Sequence, residues 1–153
     1  MDEIDREILL LLQQDASLTA RELAEHVGLT PTPCWRRVQN LEAAGVITGR
    51  VALLDPAAIN LDVTALVQIR TNNHTADWLE RFHRAIDALP EVVEAYRTSG
   101  EIDYMLRVVV PSIDAYDGFY RRLIDAIDLY DVRTIFVMEK MKQTTALPLT
   151  YLD

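Results

Sequence analysis

Residues 19–45 read TARELAEHVGLTPTPCWRRVQNLEAAG and predict two helices joined by a tight turn. The first helix begins at Thr19, because Thr19 and Glu22 have the spacing of a capping box, in which each side chain bonds a free amide of the first turn. Gly28 ends this helix, since glycine readily adopts the left-handed backbone that the turn requires. The second helix begins at one of the two Thr-Pro pairs in residues 30–33, because proline is tolerated there. This pattern is typical of a helix-turn-helix.

The second of these helices has two different faces. Cys34, Val38 and Leu41 recur at helical spacing, and we expect them to face the core. The opposite face is suited to reading a major groove, because arginine matches the acceptors of guanine, and glutamine and asparagine suit adenine. This outer face consists of Thr32, Arg36, Gln39, Asn40 and Ala43. A plain three-helix bundle with a polar outer face is the alternative interpretation.

An amphipathic helix that extends to about Gln14 precedes this pair of helices. The chain has a net charge of −9, which argues against nucleic acid as a partner. Within residues 29–50, however, there are three arginines and only one acidic residue, Glu42. This segment is therefore locally basic and can bind phosphate. These arginines are Arg36, Arg37 and Arg50. A solvated helix face would explain the same charges.

The second half of the chain has a different pattern. β-Branched or alternating stretches predict strands, and apolar residues at helical spacing predict two helices between them. The predicted strands are 63–70, 92–98, 104–110 and 132–141, with helices at 78–89 and after Ser112. The order β-α-β-β-α-β is that of a ferredoxin-like sandwich, so the whole chain is predicted to be α+β.

The boundaries between these parts follow from composition. We predict a DNA-binding domain over residues 1–50, a strand and linker over 51–62, the sandwich domain over 63–141 and a tail over 142–153. The strand character extends from Val46 to Leu54, and Asp55–Asn60 is the best linker candidate.

Several classes of protein are excluded by the composition. Half of the 153 residues are apolar, which is a globular composition, and no apolar run approaches the ~20 residues of a membrane span. We therefore expect a soluble, cytoplasmic protein with no membrane contact. The histidines lack metal-site spacing, and no GxGxxG or P-loop motif occurs, so no metal, cofactor or catalytic residue is predicted. The single cysteine, Cys34, is interpreted as a core residue, with a redox thiol as the alternative.

Three separated motifs resemble the Lrp/AsnC, or feast/famine, family of transcription regulators. Residues 29–47 are similar to the recognition helix of that family and the residues around it, and residues 4–9 (IDREIL) to its opening helix. Residues 98–107 (TSGEIDYMLR) resemble the G-x-x-D-Y loop of its effector-binding domain, the RAM domain. The resemblance spans essentially the whole chain. It implies a winged helix-turn-helix followed by a RAM domain.

The resemblance also implies function and partners. Members of this family bind double-stranded DNA at the nucleoid, respond to a small amino acid and form dimers that often assemble into tetramers or octamers. Residues 30–36, 51–56 and 144–149 resemble the DecR branch, which is associated with a response to cysteine, so L-cysteine is the first candidate effector. The alternative is an amino-acid sensor or small metabolic enzyme on the same sandwich, without DNA binding.

The candidate site residues form two groups. The predicted DNA contacts are Thr30, Thr32, Trp35, Arg36, Arg37, Gln39, Asn40 and Arg50, where Trp35 and Arg37 flank the outer face and suit either sugar-phosphate contact or packing. Near Gly100, free amides are predicted to hold the α-carboxylate of an effector, and Asp103 to hold its α-ammonium group. The effector contacts are Thr98, Ser99, Gly100, Glu101, Asp103 and Tyr104, together with, by resemblance, Ile135, Val137 and Met138 on the last strand at a subunit interface.

Overall fold

The computed structural model describes residues 1–152 and divides the chain into two compact units. The first unit contains residues 1–53 together with residues from 141 onward, and the second contains residues 54–140. The predicted tail therefore belongs to the N-terminal unit and is not a separate segment. Among the described residues, no helix has the length and apolar character needed to cross a bilayer.

Three helices form most of the first unit. They are α1 (Glu3–Gln14), α2 (Ala20–Val27) and α3 (Pro31–Ala43). Each helix contributes one apolar stripe to a common core, as amphipathic helices do when they pack around a centre. The core consists of Ile8, Leu9, Leu23, Ala24, Val27, Cys34, Val38 and Leu41.

The second unit is a four-stranded antiparallel sheet with two helices. The strands are β1 (Val63–Arg70), β2 (Val92–Arg97), β3 (Tyr104–Val110) and β4 (Asp131–Phe136), and the helices are α4 (Ala76–Asp87) and α5 (Ile113–Ala126). The order across the sheet is β2-β3-β1-β4, with β1 pairing β3 and β4, and β3 pairing β2. This is the predicted ferredoxin-like arrangement.

The sheet has one covered face and one open face. On β1, Ala65, Val67 and Ile69 are fully buried and pack with residues of α4 and α5 in the core of this unit. Because side chains alternate along a strand, Leu66 and Gln68 lie on the other face, which neither helix covers. Cross-strand partners share that face, and they include Met105, Arg107, Arg133 and Ile135.

The prediction of a strand between Val46 and Leu54 is wrong for the single chain. Residues 51–55 have no regular secondary structure, and the side chains of Val51, Leu53 and Leu54 are 80%, 70% and 68% exposed. A strand needs a partner for its backbone groups, and no neighbouring strand meets this segment within residues 1–152. A 3-10 helix, Ala57–Ile59, lies within the predicted linker, Asp55–Asn60.

The last strand is shorter than predicted. The sequence predicts this strand over residues 132–141, but β4 ends at Phe136. The amide of Val137 still donates to the carbonyl oxygen of Thr64 at 2.9 Å, one residue from the start of β1 at Val63. The end of β4 is therefore set by the start of β1.

Candidate nucleic-acid interface and effector site

The turn between α2 and α3 is built as the sequence predicted. The Glu22 amide donates to Thr19 Oγ1 at 3.3 Å, and the Thr19 amide donates to Glu22 Oε2 at 2.8 Å, which completes the capping box. Gly28 has a φ of +68°, the left-handed value that ends α2. Helix α3 then begins at Pro31, the first of the two predicted starts, and its cap residue Thr30 makes no side-chain capping bond.

Helix α3 separates its two faces as expected. Cys34, Val38 and Leu41 are 0%, 6% and 4% exposed and belong to the core of the first unit. The predicted reading residues Thr32, Arg36, Gln39 and Asn40 are all exposed, as are Thr30 and Trp35. The structure thus brings these six side chains to the surface along one helix and its first turn.

Arg36 differs from the other two arginines of this segment. Within residues 1–152, the Arg36 side chain makes no ion pair or hydrogen bond with the protein. Arg50 Nη2 lies 3.0 Å from Glu42 Oε1, and Gln39 Nε2 donates to the other oxygen of Glu42 at 2.8 Å. Arg36 is therefore the cation of the outer face that keeps its full capacity for a bidentate contact.

Arg37 forms ion pairs with two acidic residues at the start of α1, Asp5 and the cap residue Asp2. Its Nη1 lies 2.7 Å from Asp2 Oδ2 and 2.8 Å from Asp5 Oδ1. These hydrogen bonds, the bond to Asp5 first, raise the pKa of Arg37, while the Asp5 amide and Arg37 together lower the pKa of Asp2. The sequence left sugar-phosphate contact and packing open for Arg37; in the free protein its guanidinium ties the start of α1 to α3 through these ion pairs.

The Asp2 and Asp5 partners were missed from the sequence. Their three-residue spacing is a capping signal that was present in the sequence, and in the structure they form a capping box with each other in addition to the ion pairs with Arg37. The ion pairs themselves depend on how α1 packs against α3, which no local pattern encodes.

We expect Arg37→Ala to lower stability in a pH-dependent way. The lowered pKa of Asp2 means that its ionised form favours the folded state, so this contribution is present above its ordinary value of 3.8 and is lost as the pH falls through the lowered pKa. Urea unfolding at pH 7 should give a lower midpoint for Arg37→Ala than for the wild type, and this difference should shrink in acid.

Arg21→Ala is the matched control for this measurement. Arg21 pairs with Glu25 at 3.3 Å, but both side chains are mostly exposed, so removing this pair should leave the urea midpoint nearly unchanged. A pH-independent loss of stability in Arg37→Ala would contradict the role of the Asp2 carboxylate.

Cys34 lies in the core, as the sequence predicted. It is fully buried, and burial raises the pKa of its thiol, which lowers the fraction of reactive thiolate. The redox interpretation lacks the exposed, acidic thiol that it needs. The position of Cys34 among Val38, Leu41 and the α2 residues is that of a small apolar packing group.

We expect Cys34→Ala to cost about 1 kcal/mol of stability and Cys34→Asp about 3 kcal/mol or more, because the second change buries a carboxylate without a partner. Urea unfolding of the three proteins measures both differences. An oxidant that abolished DNA binding in the wild type but not in Cys34→Ala would show that the thiol is a redox sensor after all.

The loop between β2 and β3 is the predicted effector loop. It is closed by the Thr98 amide, which donates to the Asp103 carbonyl oxygen at 2.9 Å, and by Thr98 Oγ1, which donates to the Ile102 carbonyl oxygen at 2.7 Å. Gly100 has a φ of +119°, and a Cβ placed there would meet nothing within 4 Å. Within residues 1–152, the amides of residues 99–102 have no protein acceptor, so they are free to bind an anion.

Asp103 has a structural bond of its own. Its Oδ2 accepts a hydrogen bond from the Thr71 amide at 2.8 Å, and its backbone amide donates to the Ile69 carbonyl oxygen at 2.9 Å. The carboxylate is half-buried, and its Oδ1 has no protein donor within residues 1–152. One oxygen of Asp103 is thus held by the Thr71 amide, just beyond the end of β1, and the other is available to a cationic group.

Two parts of the predicted effector set do not lie with this loop. The ring of Tyr104 is 7% exposed and packs in the core, 4.7 Å from the ring of Phe82 between centroids, because Tyr104 shares the β1 face that carries Ile69. Its side chain is therefore a core group, which corrects the prediction.

The predicted effector residues on the last strand, Ile135, Val137 and Met138, also lie away from the loop. Ile135 pairs with Leu66, and the Val137 amide bonds Thr64, whereas the loop lies beside Thr71 at the other end of β1. At ~3.3 Å per residue, about 20 Å separates these two ends. Val137 and Met138 also lie beyond the end of β4, and Met138 is 95% exposed. One chain does not bring these residues to the loop.

Two family descriptions match this chain. A description of the Lrp/AsnC ligand-binding domain matches residues 64–147, and one of a winged helix-turn-helix DNA-binding domain matches residues 1–48. The first contains the loop and all of β1 to β4 except the first residue of β1, and the second contains α1, α2 and α3. Within residues 1–152, no group of three His, Cys, Asp or Glu side chains is arranged to hold a metal ion.

Similar proteins match over nearly the whole chain. DecR of Escherichia coli K12, a DNA-binding transcriptional activator, is 47% identical over 97% of this chain and 99% of its own length. The glutamate uptake regulatory protein of Zymomonas mobilis is 48% identical over 97% of this chain and 91% of its own length. These two relatives carry different names at nearly equal identity.

Solved structures agree with the fold. The crystal structure of an AsnC family transcriptional regulator from Agrobacterium tumefaciens is 55% identical, with a TM-score of 0.96 and coverage of 99% of each chain. A transcriptional regulator of Neisseria meningitidis in complex with L-methionine is 35% identical, with a TM-score of 0.94 and coverage of 99% of each chain.

Proposed function

This chain belongs to the Lrp/AsnC family of DNA-binding transcriptional regulators, and on that premise we propose that α3 reads a DNA major groove while the sheet domain binds a small amino acid. The observation that carries the first part is the exposed, unpaired Arg36 in a row with Thr32, Gln39 and Asn40, opposite a fully buried Cys34. Arginine beside amide side chains is the set that distinguishes guanine and adenine.

The effector site is completed by a second copy of the chain. In one copy the free amides near Gly100 and the Oδ1 atom of Asp103 offer an anion site and a cation site, which suit the α-carboxylate and α-ammonium groups of any amino acid. Ile135, Val137 and Met138 lie toward the other end of the sheet. They contact the same ligand only if a neighbouring copy supplies them, and such a ligand favours the assembled state.

The open face of the sheet is the surface that we assign to the dimer. It carries the apolar residues Leu66, Met105 and Ile135, of which Ile135 is 49% exposed in the single chain. Tyr96 is also exposed, at 54%, and pairs with Met105. A face of this kind is characteristic of an interaction surface, and we assign it to a dimer that covers it. Assembly of such dimers into tetramers or octamers is what membership of the family implies.

We name L-cysteine as the first effector to test, with L-glutamate and L-methionine beside it. The first follows from the resemblance of residues 30–36, 51–56 and 144–149 to the DecR branch. The name of the Zymomonas mobilis relative suggests the second, and the Neisseria meningitidis complex with L-methionine suggests the third. The protein acts as a regulator of amino-acid metabolism in the cytoplasm, at the nucleoid, and carries out no catalysis.

The experiment that tests this function is a selection from a random-sequence DNA duplex library, with the wild type and with each of the three amino acids added. We expect one enriched sequence with two related half-sites, whose affinity changes on addition of one amino acid. If the protein enriches no DNA sequence but binds an amino acid in calorimetry, it is an amino-acid sensor that does not bind DNA.

A further inference from the structure

The chain returns to its first unit near its C-terminal end. Residues 147–152, which we call the strap, contain the 3-10 helix Leu149–Tyr151 and are counted with α1, α2 and α3 in one compact unit. The sequence alone predicts only a tail for this segment.

The strap is bound by the side chain of Gln13 on α1. The Leu147 amide donates to Gln13 Oε1 at 2.6 Å, and Gln13 Nε2 donates to the Leu147 carbonyl oxygen at 3.2 Å. A single primary amide thus engages both backbone groups of one residue, as a neighbouring strand would. This reciprocal pair fixes both the position and the direction of the strap along α1.

Two leucines of the strap pack on the core of the first unit. Leu149 begins the 3-10 helix, and Leu152 is the cap residue that follows it. Both are partly buried against the cluster that contains Ile8 and Cys34, whereas Tyr151 between them is 85% exposed. The Leu152 carbonyl oxygen also accepts a hydrogen bond from Arg6 Nη2 at 3.3 Å.

We propose that the strap is an integral part of the DNA-binding unit, which is therefore discontinuous in sequence, and that its docking on α1 holds α1 against α3 in the arrangement that binds DNA. The surface is formed by Arg6, Gln13 and the apolar groove beside them, and its occupant is the strap of the same chain. The part of this proposal that concerns DNA rests on the proposed function.

The test uses two full-length variants, each with a matched control. Gln13→Ala removes both bonds to Leu147 without weakening the helix, and Gln14→Ala, at the next and exposed position, removes an amide of the same size. Leu149→Ala combined with Leu152→Ala removes the packing, and Tyr151→Ala, which is 85% exposed, is its control.

The first measurement is hydrogen exchange without any ligand. We expect amides of α1 and α3 to exchange about tenfold faster in both strap variants than in the wild type, while the amides of β1 and β3 are unchanged and both controls match the wild type. Exchange in α1 and α3 that is unchanged in the double leucine variant overturns the proposal. If that variant does not fold, the exchange of Gln13→Ala decides the question alone.

The second measurement is a titration with a mixed-sequence DNA duplex of about 30 base pairs at low salt, where non-specific affinity is measurable. We expect a loss of about five- to tenfold in affinity for the two strap variants and none for the controls. Equal affinities would refute a role of the strap in DNA binding. A wild type that does not bind the duplex would refute the proposed function instead, and hydrogen exchange would still decide whether the strap holds α1.

Discussion

Arg36→Ala is expected to weaken binding to the selected DNA sequence by about 1–3 kcal/mol and to relax the preference at one base pair in each half-site. Arg36 is exposed on the outer face of α3 and makes no bond within residues 1–152, so its removal leaves the core intact. Fluorescence anisotropy with the selected duplex and with single-base variants of it measures the effect, and the urea midpoint of the free protein should not change.

Arg36→Lys is the control that separates base reading from charge. Lysine keeps the positive charge but lacks the planar fork of five donors, so affinity for mixed-sequence DNA and its salt dependence should survive while the preference at that base pair falls. Arg121→Ala, which removes an arginine of α5 in the second unit, should leave both affinities unchanged. An unchanged specific affinity in Arg36→Ala would remove this residue from the reading set.

Asp103→Asn is expected to lower affinity for the amino-acid effector by about 10- to 100-fold while DNA binding without effector survives. Hydrogen bonds to charged groups contribute about 1.5–3 kcal/mol, and the asparagine amide cannot offer the α-ammonium group a charged partner. Asparagine retains an oxygen for the Thr71 amide, whereas Asp103→Ala would also leave that amide unpaired. Calorimetry with L-cysteine, L-glutamate and L-methionine measures the affinity.

Asp87→Asn is the matched change for this prediction. Asp87 is the last residue of α4 and is exposed. Asp87→Asn removes the same charge as Asp103→Asn, so this variant should bind the amino acid like the wild type. If Asp103→Asn folds and binds with undiminished affinity, the acidic side of the proposed site is wrong, and Gly100 and Asp103 serve only to shape the turn.

Local signals in the sequence predicted the elements that local chemistry determines. The capping pair Thr19 and Glu22, the left-handed Gly28 and the stripe from Cys34 to Leu41 all act within one turn or one helix, and each has its predicted role in the structure. The order of strands and helices in residues 63–136 was predictable for the same reason, because alternation and helical spacing are properties of short windows.

Contacts between distant segments were not predictable in this way. The bonds from Arg37 to Asp2 and Asp5 and the docking of Leu149 on the first unit span 32 to more than 100 residues, and no local pattern specifies such pairs. The exposed Val51 and Leu53 show the opposite error, since strand propensity is present there but a hydrogen-bonding partner is not. Tyr104 was assigned from its motif, while its burial depends on Trp78 and Phe82 of α4.

The position of the strap has a consequence for synthesis of the protein on the ribosome. About one hundred residues of chain separate the end of α3 at Ala43 from Leu147, so at about 5–20 residues per second the three helices precede their strap by roughly 5–20 seconds. During that interval the whole sheet domain is translated. On this account a nascent chain acquires its full affinity for DNA only after the domain that senses the amino acid has been made.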